Sequence, residues 1–368
     1  MGKSNKKKAA NAIPESVLSL PAHASALDLA GDQRPVGIVD THTHLLSTFS
    51  WYKSKYKDDA ECETIWDFVR TMCMPPATDV DPDTAKYRPK RHPVASMVDV
   101  WCEPASWSNW REIADSAVDG NPKKADWGGC EYWFAIVHAC VHDIRHEAKH
   151  YNDEIETEIL EAMKHPRCVS WGEIGLDYHY SLSEHEVQQN VFRRQLEHAV
   201  LLGKPITIHT REAEEDTERI MKEVIPREWK IHIHCFTDSP DFAERLLNHF
   251  PNLYIGITGV VTYTTNLNTS EILRRLAKSA STSETDKPLR ILLETDAPYM
   301  TPSNIYASLP ELTGKNPRLP LCHSGMIPWV AEFASGVVKD YPANGGETLS
   351  TDAILRASAT NAAHMYGV

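Results

Sequence analysis

The chain has 368 residues, 51 acidic against 38 basic side chains, and a formal net charge of −13. That length fits one α/β barrel with insertions or two modest domains. No apolar run reaches the ~20 residues that span a bilayer, and the acidic balance disfavours a basic nucleic-acid coat.

The first ten residues are basic (Lys3, Lys6, Lys7, Lys8), but no apolar stretch follows that would make a secretory signal. Residues 1–35 therefore read as a basic tail and lead-in, and 36–368 as one barrel. The eight cysteines contain no C-x-x-C pair, and Cys140, Cys168 and Cys235 sit in apolar runs. Reduced, buried thiols are expected, in a cytoplasmic and/or nuclear protein that is not secreted, with no membrane segment.

Eight short apolar runs recur along the chain: Gly37–Asp40, Ser96–Trp101, Trp133–Ala139, Cys168–Glu173, Pro205–His209, Lys230–His234, Leu253–Ile257 and Leu289–Glu294. Amphipathic stretches separate them. Glu184–Leu202 carries Val187, Val191, Leu196 and Val200 on one stripe, with Gly203 as a stop. Ala213–Val224 and Asp241–Phe250 read as two further helices, each followed by proline. Strands alternating with helices predict a parallel sheet, and a (β/α)8 TIM barrel is the simplest closure for eight. Two stretches break the regularity: a long insertion at about 50–93 after the first strand, and a Pro-rich, helix-poor segment at 303–328.

His42 and His44 stand two residues apart at the end of the first run, so in a strand both point to one face. Converging imidazoles can share a divalent metal. Glu173, His209 and His234 end the fourth, fifth and sixth runs, and Asp296 follows the eighth. In a barrel the C-terminal strand ends meet at one face, where active sites sit. Six nitrogen and oxygen donors there suffice for two metals if one carboxylate bridges. A metal cluster would also add positive charge that a bulk count misses.

The motifs Asp40-Thr41-His42-Thr43-His44-Leu45, Gly172-Glu173-Ile174-Gly175-Leu176-Asp177-Tyr178, Pro205-Ile206-Thr207-Ile208-His209-Thr210-Arg211, His234-Cys235-Phe236-Thr237, Leu293-Glu294-Thr295-Asp296-Ala297-Pro298-Tyr299 and Thr360-Asn361-Ala362-Ala363 come in a recognisable order. With them the chain resembles the TatD-type metal-dependent deoxyribonucleases, within the amidohydrolase-like barrels, from about residue 36 onward. The resemblance implies that His42, His44 and Asp296 hold one metal, that His209 and His234 hold the second, and that Glu173 bridges both. It also implies that Asp296 handles the proton of the attacking water, giving Asp296 and Glu173 the catalytic roles. Two divalent cations follow, Mg or Mn in activity, with Zn in the purified protein as an option. The implied activity is phosphodiester hydrolysis on DNA at strand ends. The same donor set also suits a small-molecule hydrolase of an amide, lactone or phosphoester.

Arg211 could grip a substrate phosphate, or pair with Glu212, Glu214 or Glu215. Asp177 reads as a residue that orients a ligand from behind. His142 is a candidate substrate contact, with Cys140 and Asp143 replacing the family's glycine and proline beside it. The aromatics Trp51, Tyr52, Tyr56 and Trp66 of the insertion could stack on bases, serve a protein partner, or form the insertion's own core. Asp238 stands where the family has glycine, and Arg318–Pro328 replaces the family's late Arg and Asn-Glu/Gln-Pro pattern. Both departures fall on the substrate-facing rim.

Overall fold

The computed structural model describes residues 13–29, 33–80, 87–102, 107–136, 148–180, 182–281, 289–312, 318–341 and 348–368. Eight strands form one sheet: β1 Ile38–Thr43, β2 Val94–Trp101, β3 Glu131–Ile136, β4 Cys168–Asp177, β5 Ile206–Arg211, β6 Ile231–Ile233, β7 Leu253–Ile257 and β8 Ile291–Leu293. Each pairs in parallel with the next in chain order. The ends of β1 and β8 close the ring: Asp296 N–H donates to the His42 carbonyl at 2.9 Å and His44 N–H to the Ala297 carbonyl at 2.9 Å. The eight predicted strands are all present. β4 runs past its predicted end at Glu173, which therefore sits mid-strand, at a register shift against β5 between Trp171 and Ile174. The flanking Gly172 and Gly175 mark a close approach of the β4 and β5 backbones.

Helices cover the barrel: α1 Ala24–Leu27, α2 Leu45–Tyr56, α3 Ile65–Cys73, α4 Trp107–Ser116, α5 Asp153–Ala162, α6 His185–Leu201, α7 Glu214–Val224, α8 Pro240–His249, α9 Asn268–Ser281, α10 Ile327–Val338 and α11 Thr351–Tyr366. α8 shows why they form where they do. Ser239 caps its Phe242 amide, Pro240 takes the first turn, and Phe242, Ala243, Leu246 and Leu247 are buried. Each large side chain on that stripe contributes roughly 1.5–3 kcal/mol by leaving water. α6 stops where Gly203 turns left-handed at φ +67°.

The insertion is more helical than its composition suggested. α2 and α3 occupy its first half, and a Thr64–Asp67 capping box starts α3. Tyr52, Phe68, Val69 and Met72 are buried beneath it. Inside the barrel a second core forms around Val98, Val100, Ala135 and Leu292, closed by Ala362, Met365 and Tyr366 of α11. Every described cysteine is free, and Cys62, Cys73, Cys130, Cys168 and Cys322 are buried.

Among the described residues, the late segment before α10 holds short 3-10 turns, Ser303–Ser308, Pro310–Leu312 and Ser324–Met326. Its His323 is buried, donates from Nε2 to the Leu18 carbonyl at 2.9 Å, and accepts from the Gly325 amide at Nδ1. Burial, with the nearby Arg91 charge, pushes His323 down to about 4. The unfolded chain therefore takes up the second ring proton first as pH falls. Stability from this site is present above about pH 6.5 and is lost toward pH 4, on the order of 3 kcal/mol. Urea unfolding at pH 7 and pH 4.5 checks this. His323→Gln, which cannot titrate, should lose less stability across that interval than the parent, and parallel losses would discard the idea.

Candidate metal centre

The mouth of the barrel is built by strand ends. His42 lies in the last turn of β1, and His44 follows it as the residue that starts α2. Their rings meet edge to face, with centroids 5.2 Å apart. His44 donates Nδ1–H to the Val100 carbonyl at 3.0 Å, which fixes its tautomer and turns Nε2 toward Asp296 Oδ1 at 3.3 Å. Buried Asp40 clamps the β8 end to β1: it accepts from the Thr295 amide at 3.0 Å and the Thr295 hydroxyl at 2.7 Å. Asp296 follows with a left-handed backbone at φ +52°, an uncommon conformation for a non-glycine residue, held here by the closure bonds.

Opposite this group, His234 Nε2 stands 2.6 Å from Glu173 Oε2, and His42 Nε2 lies 3.2 Å from the same oxygen. The His42 and His234 rings stack at 4.0 Å. His209 Nδ1 is 3.1 Å from His234 Nε2, while its Nε2 faces Asp177 Oδ2 at 3.6 Å. Gly175 makes this packing possible, since a Cβ there would overlap the His209 carbonyl oxygen.

The structure thus brings His42, His44, Glu173, His209, His234 and Asp296 together, with Asp177 behind His209. Donor atoms of His42, His44 and Asp296 lie within 4.8 Å of one another, as do those of Glu173, His209 and His234. Both ring nitrogens of His42 and Nδ1 of His234 are buried without a hydrogen bond, a costly state for a polar atom unless another partner binds it. The charges also ask for a cation. Burial alone would raise the Glu173 carboxyl, but His234 and His42 beside it hold it well below the usual range. Burial opposes charge on His234, yet Glu173 lifts it to about 9. A mixed set of imidazoles and carboxylates with unused nitrogens fits a divalent transition metal.

Two residues of this neighbourhood were not picked out from the sequence. Glu294 accepts from the Cys235 amide, and its Oε2 lies 3.1 Å from His232 Nε2. His232 Nδ1 is 2.7 Å from the Tyr366 hydroxyl, itself 2.8 Å from Thr207 Oγ1. Burial pushes Glu294 up to about 7. Glu294, with His42 and His234, forms a further potential donor group. The signal was available: Glu294 precedes Asp296 by two residues and His232 precedes His234 by two, the same-face spacing that singled out His42 and His44.

A cavity of about 920 Å³ opens over these residues, lined also by Tyr180, Arg211 and Thr237. Among the described residues Arg211 forms no ion pair; its guanidinium lies 5.0 Å over the Tyr180 ring. Of its three proposed acidic partners, Glu212 binds His179 and Glu214 binds Ser239. Asp238 does not line the cavity, and burial beside Glu214 pushes it up to about 7. His142, Cys140 and Asp143 lie outside the described residues. Tyr52 is buried, Tyr56 packs against the core, and Trp66 donates to Ser116 Oγ at 3.3 Å. Trp51 instead faces a second cavity beside the first.

Comparison with known proteins places this arrangement. The chain is 44% identical over 166 residues to the Homo sapiens protein named 3'-5' RNA nuclease TATDN2, covering 45% of this chain and 20% of that protein. It is 34% identical over 161 residues to the Pantoea vagans 3'-5' ssDNA/RNA exonuclease TatD, covering 44% and 57% respectively. The matches thus span less than two thirds of these curated relatives. A TatD-family hydrolase from Entamoeba histolytica shares the fold over 91% of this chain and 99% of its own, at 17% identity and a TM-score of 0.60. No helix among the described residues is long and apolar enough to cross a membrane. The family model described as TatD related DNase matches residues 39–333, and the chain belongs to that family.

Proposed function

We propose that this chain is a metal-dependent nuclease that hydrolyses phosphodiesters at the ends of single-stranded nucleic acid, with two divalent cations in the barrel mouth. The observation that carries it is the convergence of six donor residues at the barrel mouth, five of them lining a cavity whose wall presents Arg211. The nuclease names of the relatives support the substrate class. His42, His44 and Asp296 would hold one cation and His209 and His234 the other, with Glu173 between them. Bound there, the cations lower the pKa of water toward neutrality and offset charge growing on phosphate oxygens.

The remaining work falls to the chain. Burial would raise the Asp296 carboxyl, but the hydrogen bond with His44 and the nearby His234 and His42 keep it below its ordinary value. It stays ionised and able to take a proton from water. Asp177 orients His209 from behind. Arg211 offers its fork to a phosphate oxygen while Tyr180 supports its planar face.

Digestion of end-labelled single-stranded DNA, single-stranded RNA and duplex DNA, after EDTA treatment and with Mg, Mn or Zn restored in turn, tests the reading. Metal-dependent release of mononucleotides from single strands is expected. Intact oligonucleotides beside rapid hydrolysis of bis(p-nitrophenyl) phosphate would point to a small-molecule phosphoesterase instead.

A further inference from the structure

The second cavity, about 1170 Å³, shares Thr265, Tyr299 and Met300 with the one above the metal residues. The two therefore adjoin, with these residues forming the ridge between them. Each is as large as pockets that enclose drug-sized ligands, about 300–1,000 Å³. The ridge is tied to the centre, because Tyr299 N–H donates to the Asp296 carbonyl at 3.0 Å. It is also seated closely, since a Cβ at Gly259 would overlap the Met300 carbonyl.

The chemistry of the second cavity is unlike the surface of this chain. The chain carries 51 acidic residues, yet among the described residues that line this cavity none is acidic. Arg318 lies on its wall, exposed and with no ion pair among the described residues. Trp51 and Tyr299 meet at 5.5 Å and 76°, forming an aromatic corner with Tyr299 52% exposed. Lys55, outside the cavity lining, stands 5.9 Å from the Trp51 ring. A cavity lined by no carboxylate among the described residues, with an arginine and an aromatic corner, suits single-stranded nucleic acid: a phosphate takes the charge and bases take the ring faces.

We propose that the nucleotides preceding the scissile one cross the Tyr299–Met300 ridge and enter this cavity, one base stacking at Trp51 and a phosphate pairing with Arg318. The proposal rests on the nuclease reading above and adds to it a binding subsite supplied by the insertion and the late segment. It gives the altered Arg318–Pro328 stretch a use, and it separates Trp51 from the three aromatics that serve the core.

The test is a length series of single-stranded oligonucleotides, from dinucleotide to decamer, with KM and kcat measured for each. The parent enzyme should bind more tightly as length grows. Trp51→Ala and Arg318→Glu should each raise KM for the decamer on the order of 10-fold, leaving kcat and the dinucleotide KM unchanged. Trp51→Phe and Arg318→Lys should restore most of the loss. Anisotropy of a 5'-labelled decamer in EDTA reads the same losses without turnover. Unchanged dinucleotide kinetics show that the fold and metal centre are intact. A parent KM independent of length, or equal losses on dinucleotide and decamer, overturns the subsite alone. Hydrolysis of bis(p-nitrophenyl) phosphate with no oligonucleotide cleaved overturns the nuclease reading and the subsite with it.

Discussion

Glu173→Gln should lower turnover on single-stranded substrate on the order of 10³-fold. Glutamine keeps the volume and one acceptor oxygen but removes the charge. Glu173 is the carboxylate that both His42 and His234 face, at 3.2 and 2.6 Å, and it lies between the two donor groups. Without it, His234 loses the partner that holds it at about 9, and two cations would face each other with no anion between them. Elemental analysis after dialysis should therefore show less metal per chain as well as a lower rate. Asp296→Asn should also lose turnover, through the lost proton acceptor as well as a lost donor. Parent-like rate and metal load in Glu173→Gln would remove the proposed centre from consideration.

The second large effect should come from a residue with no side chain. In Gly175→Ala the new methyl would overlap the His209 carbonyl oxygen. That oxygen belongs to a backbone paired in the sheet and cannot swing aside, so β4 and β5 must part. Overpacking of this kind costs about 3 kcal/mol or more, a fall of roughly 4 °C or more in Tm for a chain of this size. Glu173 and His209 flank the clash, so metal content should fall with stability. Gly336→Ala is the control. It lies inside α10 with nothing near its Cβ position, and alanine there should be neutral or stabilising by up to about 1 kcal/mol. Thermal melts of the two variants decide the matter, and equal Tm values would refute the packing argument.

Five of the six donors were legible because each stands near or just past a strand end, and parallel strands deliver such ends to one face; Glu173 reaches the same face from the middle of β4. What pattern could not supply was depth. Glu294 and His232 lie one pleat below Asp296 and His234, and alternation reports a face without saying how far into the barrel a position falls. Glu173 was placed at a strand end because the apolar run was closed there; Gly172 and Gly175 let β5 come close while β4 continues to Asp177. The aromatics of the insertion were ambiguous while that stretch was treated as a connection. Once α2 is a helix, Tyr52 and Tyr56 are four residues apart on one stripe and Trp51 is off it. Arg211 could not be assigned from sequence, which does not show that two of its acidic neighbours, Glu212 and Glu214, are engaged elsewhere.

The Tyr366 hydroxyl has an implication for how the molecule is made. α11 leaves the ribosome after all eight strands have emerged. Until it docks, His232 lacks the Tyr366 hydroxyl, Thr207 keeps only Ser170 as a hydroxyl partner, and Val98, Val100, Ala135 and Leu292 lack their cover. The nascent chain therefore passes through a stage in which every candidate metal donor has been synthesised while the vessel beneath them is still open at the bottom. The cover of this interior thus comes from below, from the last helix in chain order, and not from the last strand to pair.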